Sequence, residues 1–312
     1  MKNIKKILVL ALLLVVSVGC SNNNKALDKI VATYVSAPLN VPSIIEKDGK
    51  YLEKALKEKD IAFDYSNLTT GPEQTQALAS GDVQILNCVG STSVILSAAN
   101  GADIKILDMY GRSSEAYTIF SHDKSIKSAK DLKGKKIAGP QGTVLHELLV
   151  AYLKSADLTL DDVEFVNMTI PDAMAALSNK SVDASLVAGA AAYNAEKSGL
   201  NLVTTGKGYI NATLVVAVTQ EFYDNNKEAV EIFRNTQKEI LKYMDENHDA
   251  TIKKVAKELD LDEAAVKTMY KQYDFSTEVT DQDKKDMQKT ADFMLENKMI
   301  EKEVNVEDLF IK

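Results

Sequence analysis

The sequence predicts an α/β protein of two similar lobes, completed by a helical C-terminal part packed on the first lobe. Three observations carry this. Residues 29–108 alternate short β-branched runs with helical stretches on short links. A stretch of the first lobe then returns 99 residues later: Pro72-Glu73, Ala77-Leu78 and Val83 recur without a gap as Pro171-Asp172, Ala176-Leu177 and Val182, and Gly90 recurs as Gly189. Last, a strongly β run at 211–219 precedes a helical pattern that continues to the C-terminus.

Taken in order, residues 29–35 read as a strand leading into Ser36-Ala37-Pro38. Residues 41–59 read as a helix broken at Gly49, with Leu52, Ala55 and Leu56 at helical spacing. A strand at 61–67 leads through Thr69–Pro72, where proline suits a first helical turn, into a short helix at 73–80. A buried strand at 83–87 ends in Cys88-Val89-Gly90-Ser91-Thr92, followed by a helix at 93–100 and a strand at 104–108. Such alternation predicts a largely parallel sheet. Segment 109–123 must then carry the chain into the second lobe. There, residues 136–138 read as a strand, 139–143 as a tight loop and 144–153 as an amphipathic helix with Thr143 at its N-cap. Gly139, Pro140 and Gly142 permit the sharp turn, and free backbone N–H groups at a helix start can seat a small anion. The run at 211–219 crosses back. Helices at 225–247, 250–259, 262–273 and 281–298 follow, with Asp262 and Thr280 as caps. The expected division is 28–117 plus 209–312 for the first lobe and 118–208 for the second.

Residues 1–19 read as a signal peptide: Lys2, Lys5 and Lys6 precede an apolar run at 7–16 that is too short to span a bilayer. Ser17-Val18-Gly19-Cys20 resembles the lipobox of bacterial lipoproteins. That implies cleavage before Cys20, lipid on Cys20, and residues 20–27 as a tether on the outer face of the cytoplasmic membrane. A plain secretory signal is the alternative. Loss of residues 1–19 leaves 34 basic against 45 acidic residues, a net charge of −11 and a poor match to nucleic acid. With Cys20 lipidated, Cys88 is the one remaining thiol and no intrachain disulfide forms.

The chain resembles the substrate-binding lipoproteins of ABC importers, of the nitrate/sulfonate/taurine type with the type II periplasmic-binding-protein fold. The resemblance rests on Gly71-Pro72-Glu73 through Gly81-Asp82-Val83, the run SAKDLKGKKIA at 128–138, Gln141-Gly142-Thr143, and 211–219 followed by Glu221-Phe222. It implies a ligand cleft between two lobes joined by two crossover segments, closure by hinge bending, and a monomer that serves a permease and its ATPase.

Ligands of α/β sheets sit beyond the carboxyl ends of the strands. The candidate ligand-binding residues are therefore Ser36, Ala37, Pro38, Thr70, Gly71, Cys88, Gly90, Ser91, Thr92, Gln141, Gly142, Thr143, Gly189 and Ala190, with Arg112, Tyr117 and Asn211 from the crossovers. Facing helix N-termini suit an oxyanion without a basic side chain. Arg112, with Arg234 one of only two arginines, is a candidate anion clamp, or else a surface pair with Glu115 or a hinge brace. Cys88 reads as a small buried hydrophobe or a ligand contact. Tyr34, Tyr110 and Tyr117 read as walls or stacking surfaces. His122, His146 and His248 share no metal spacing, so neither metal nor cofactor is expected. One thiol and three scattered histidines also disfavour an enzyme such as the pyrimidine synthase of the same fold family. The leading function is capture of a small, sulfonate-like organic anion. A neutral heterocycle such as a thiamine-precursor pyrimidine, and a sensory binding module, are the alternatives.

Overall fold

The computed structural model describes residues 27–35 and 38–311. The signal peptide, Cys20 and its tether, Ser36 and Ala37 lie outside the described residues. The chain first lays down β1 (Lys29–Tyr34), α1 (Val41–Gly49), α2 (Tyr51–Lys57), β2 (Ala62–Asn67), α3 (Gly71–Ser80), β3 (Leu86–Gly90), α4 (Ser91–Ala99) and β4 (Lys105–Arg112). The second series is β5 (Tyr117–Ser121), β6 (Lys136–Gly139), α5 (Val144–Lys154), β7 (Glu164–Asn167), α6 (Ile170–Ser178), β8 (Ala184–Ala188), α7 (Ala190–Lys197) and β9 (Asn201–Thr205). Then come β10 (Thr213–Val218) and helices α8 (Gln220–Asn225), α9 (Lys227–Glu246), α10 (His248–Leu259), α11 (Glu263–Tyr270) and α12 (Asp281–Glu296).

The two sheets share one wiring. In the first, β2 pairs with β1, β1 meets the start of β3 through a parallel Ala32–Ile85 bridge, and β10 lies between β3 and β4. In the second the order is β7-β6-β8-β5-β9. Strand for strand these orders correspond, with β10 and β5 in the same place. Both strands run antiparallel to their neighbours, so the sheets are mixed rather than largely parallel. The reason is the crossing: each of these strands enters its sheet from the other lobe. Every residue of β10 is buried, as expected of a central strand covered on both faces.

The internal repeat is visible in the helix starts as well as in the sheets. Thr70 caps α3, its hydroxyl accepting from the Glu73 amide at 3.4 Å, and Thr169 caps α6 in the same way from Asp172 at 3.4 Å. Proline follows two residues after each cap. The break within 41–59 falls one residue later than expected, at Lys50, which is left-handed with φ 53°. The C-terminal helices pack on the first lobe, α9 and α10 against α1 and α12 against α4.

The crossovers are tighter than segment 109–123 implied, because β4 continues to Arg112 and β5 begins at Tyr117. Only 113–116 and 206–212 connect the lobes. They run side by side: Ser113 N donates to Ala212 O at 3.2 Å, Gly206 N donates to Tyr117 O at 2.8 Å, and Lys207 pairs with Glu115 at 2.5 Å.

Candidate ligand site between the lobes

A cavity of about 60 Å³ lies where the lobes meet. It has room for roughly five water-sized groups at ~10–15 Å³ each. The first lobe supplies Pro38 from the segment before α1, Thr69, Thr70, Gly71 and Gln74 at the start of α3, Cys88 and Gly90 from β3, Ser93 from α4 and Leu214 from β10. The second supplies Tyr117, Pro140, Thr143, Val144, Leu145, Ile170 and Ala188. The first turns of α3, α4, α5 and α6 therefore all reach this wall, two from each lobe. None of the lining residues is charged. The field in the cavity comes from helix termini and amides, and its sign favours an anion.

Cys88 reaches the cavity because of a β-bulge. Val215 of β10 pairs with Val89 and Val216 pairs with Asn87, which leaves Cys88 as the extra residue. Its φ is +71°, a left-handed conformation that costs a side-chain-bearing residue about 1 kcal/mol. The bulge breaks alternation. Leu86 and Val89, three apart, both turn into the core beneath α4 and α12, and Cys88 points the other way. This also explains why the strand is Leu86–Gly90 rather than 83–87: its partner β10 is a distant segment that pairs only with this later stretch. Burial pushes the Cys88 thiol far above its ordinary range, so it stays protonated.

Two further polar side chains are held in place. Gln74 is buried, and its carbonyl accepts from Thr33 Oγ1 at 3.0 Å, while its amide NH₂ bonds to no described residue. Tyr117 is 4 % exposed and its hydroxyl also bonds to no described residue. Burial raises the Tyr117 phenol well above its ordinary value, so it remains a neutral donor. The lobes touch around the cavity: Ser93 Oγ donates to Gly142 O at 2.8 Å, and a Cβ on Gly189 would meet Leu39 N at 3.2 Å.

Of the candidate residues, the structure brings Pro38, Thr70, Gly71, Cys88, Gly90, Tyr117 and Thr143 to the cavity. Ser91, Thr92, Gln141, Gly142, Gly189 and Ala190 surround it without lining it. Ser91 instead bonds Thr213 at 2.7 Å, Thr92 bonds Glu147, and the Gln141 amide donates to Asn167 at 2.9 Å. Asn211 is exposed and lines a separate hollow beside the crossovers. Arg112 is placed differently from an anion clamp. Its guanidinium forks onto Asp283 at 2.6 and 2.7 Å and donates to Ser276 O and Glu278 O, bracing β4 against the approach to α12. Glu115 pairs with Lys207 instead. Tyr34 donates to Glu258, and Tyr110 is buried against Ser43 and Asn40; neither lines the cavity.

Sequence reasoning missed Gln74 and Ser93, which lie in the first helical turn just past each chosen loop, Pro140, which precedes Gln141, and Ile170, which opens α6 far from any chosen position. Thr69, Val144, Leu145 and Ala188 lie within one or two residues of chosen positions. Leu214 had no local signal: it is there because β10 places it opposite Gly90.

A family model described as NMT1/THI5 like matches residues 56–251. The chain is 26 % identical over 313 residues to a Bacillus subtilis (strain 168) protein named for binding aliphatic sulfonates, covering 98 % of this chain and 94 % of the relative. It is 31 % identical over 182 residues to the taurine-binding periplasmic protein of Escherichia coli (strain K12), 57 % of this chain and 56 % of that one. Among solved structures, the alkanesulfonate-binding protein SsuA from Xanthomonas axonopodis pv. citri, bound to MOPS, superposes with a TM-score of 0.83 at 21 % identity. The match covers 91 % of this chain and 98 % of that one, and the two share the fold.

Proposed function

The chain belongs to the NMT1/THI5-like family, and from that premise we propose that it is an extracytoplasmic solute-binding protein that captures a small sulfonate-like organic anion for an ABC importer. One observation supports this most directly: four helix starts, two from each lobe, border a small cavity lined by no charged residue. Such a site pulls an oxyanion in by aligned peptide dipoles, and closing the lobes removes the water that would screen them. The Gln74 amide and Tyr117 hydroxyl are the side-chain donors of this reading, and Cys88, Leu214 and Val144 receive the short carbon chain. Opening and closing turn on 113–116 and 206–212, with 28–112 plus 213–312 as one rigid part and 117–205 as the other. Lipid on Cys20 holds the protein beside its permease. The role is capture rather than catalysis: relatives are named as binding proteins, and the one thiol at the cavity is held protonated.

The test is native mass spectrometry of residues 21–312 before and after mild unfolding and refolding, followed by calorimetry with sulfonates, carboxylates and pyrimidines. Release of a sulfonate, or tight binding of one, supports the reading. Selective binding of a neutral pyrimidine, or turnover of any ligand, overturns it.

A further inference from the structure

Glu147 sits outside the cavity, yet it joins three elements. It lies in the first turn of α5, in the second lobe. Its Oε2 accepts from Thr92 Oγ1 of α4 at 2.5 Å, and its Oε1 accepts from Thr290 Oγ1 of α12 at 3.2 Å. Both hydroxyls belong to the first lobe and its helical cover. Glu147 is 4 % exposed, Thr92 is fully buried and Thr290 is 5 % exposed. No cation among the described residues bonds this carboxyl. The hollow it borders is walled by Ser114, Tyr209, Asn211, Lys289 and Phe293. Lys289 is largely exposed and is held by Asp286 at 2.8 Å, Tyr209 is partly exposed, and Tyr117 lies near enough to feel the charge. His146, next to it on α5, is pushed down to about 4 by burial and stays neutral near pH 6.

We propose that Glu147 is the clasp of the closed form, a carboxyl of one lobe that the other lobe holds only when the cleft shuts, so that capture of the solute is tied to protonation of this one group. This rests on the solute-binding reading above. A carboxylate taken out of water with two hydroxyls and no cation is poorly compensated. Burial pushes Glu147 up to about 7 in the closed form, with Thr92 and Thr290 pulling the other way. Opening separates α5 from α4 and α12 and returns it to water, where a glutamate titrates near ~4.3. The value is higher when closed, so closing takes up a proton. The closed form's advantage is complete below the open-form value and is lost as pH rises through about 7. An alkanesulfonate stays ionised across this window and adds no slope of its own.

The experiment is calorimetry with propanesulfonate between about pH 5.5 and about pH 7.5, with scattering from the ligand-free protein at both ends. Binding is expected to be roughly twenty-fold weaker at the upper pH, and the free protein more open there. Glu147→Gln, a mimic of the protonated group, is expected to bind at the low-pH strength throughout and to scatter alike at both ends. Thr290→Val removes a bond that favours the charged form and is expected to move the loss of affinity to higher pH, which keeps the idea testable if the glutamine variant does not fold. A flat profile in the native chain, or a slope that survives Glu147→Gln, overturns the clasp and leaves the sulfonate reading intact. If propanesulfonate fails to bind at any pH, the sulfonate reading falls and scattering alone decides the clasp: a pH-dependent shape lost in Glu147→Gln supports it, and a shape unchanged with pH overturns it.

Discussion

Gly90→Ala separates closing from folding. Gly90 ends β3 and caps α4 with φ −66° and ψ 134°, a conformation open to any residue. A methyl group there strains nothing within the first lobe. Across the cleft, however, it would lie 2.9 Å from Val144 Cγ2, at the first turn of α5. Valine in a helix has essentially one χ1 rotamer, so it yields poorly. Overpacking of this kind costs about 1–3 kcal/mol, borne only by the closed form. Affinity is therefore expected to fall roughly 5- to 150-fold. The new methyl also takes space from a cavity of about 60 Å³, which acts in the same direction. Calorimetry gives the affinity, and a thermal melt of ligand-free protein gives the stability, expected within about 0.5 kcal/mol of native. Adding Val144→Ala restores room and is expected to recover part of the lost affinity, the coupling being read from the double-mutant cycle. An affinity within a factor of about two of native would show that Gly90 and Val144 do not meet on closing, and a melting loss as large as the binding loss would place the clash in folding instead.

Three other outcomes are expected. Taurine, whose ammonium would enter a cavity lined by no carboxylate, is expected to bind at least about ten-fold more weakly than propanesulfonate, because an unpaired buried charge costs several kcal/mol; equal affinities in competition calorimetry would contradict this. Arg112→Ala is expected to cost about 2–4 kcal/mol at neutral pH by stranding Asp283, whose side chain is 6 % exposed. Burial alone would raise Asp283, but Arg112 and Thr280 outweigh it and hold the carboxyl below its ordinary range, so its contribution is present above about pH 4 and is lost as pH falls through the lowered native value. Denaturant melts between neutral pH and acid check both parts, and an Arg112→Ala protein as stable as native would sink the brace. Cys88, buried and protonated, is expected to alkylate at least about ten-fold more slowly than an exposed thiol and more slowly again with propanesulfonate bound; labelling at the rate of a free thiol would show that the cavity stands open.

Local chemistry made much of this legible. Thr70-Gly71-Pro72-Glu73 announces a helix start in its own letters, and the similar Thr169-Ile170-Pro171-Asp172 announces its counterpart in the second lobe. The loop at 139–143 lies where its glycines and proline put it. Hidden features depended on distant partners. Nothing around Cys88 signals a bulge, since the extra residue is defined by register against Val215 and Val216. Arg112 looked like an anion clamp because its acidic partner, Asp283, lies 171 residues away. Glu147 has only the local marks of an acid in a helix's first turn, and the docking of α4 and α12 is what turns it into a buried group.

The exchange of β5 and β10 bears on the order in which this chain acquires its shape. The second sheet is built from one continuous stretch, β5 through β9, and can be completed once that stretch is available. The first cannot. Until β10 arrives, β3 and β4 have no strand between them, and each presents an unpaired edge. Joining them closes a loop that contains the entire second lobe, a slow step by its entropy and separation. The lobe made first is thus the one finished last, and its exposed edges make the waiting interval the point at which a chaperone has most to protect.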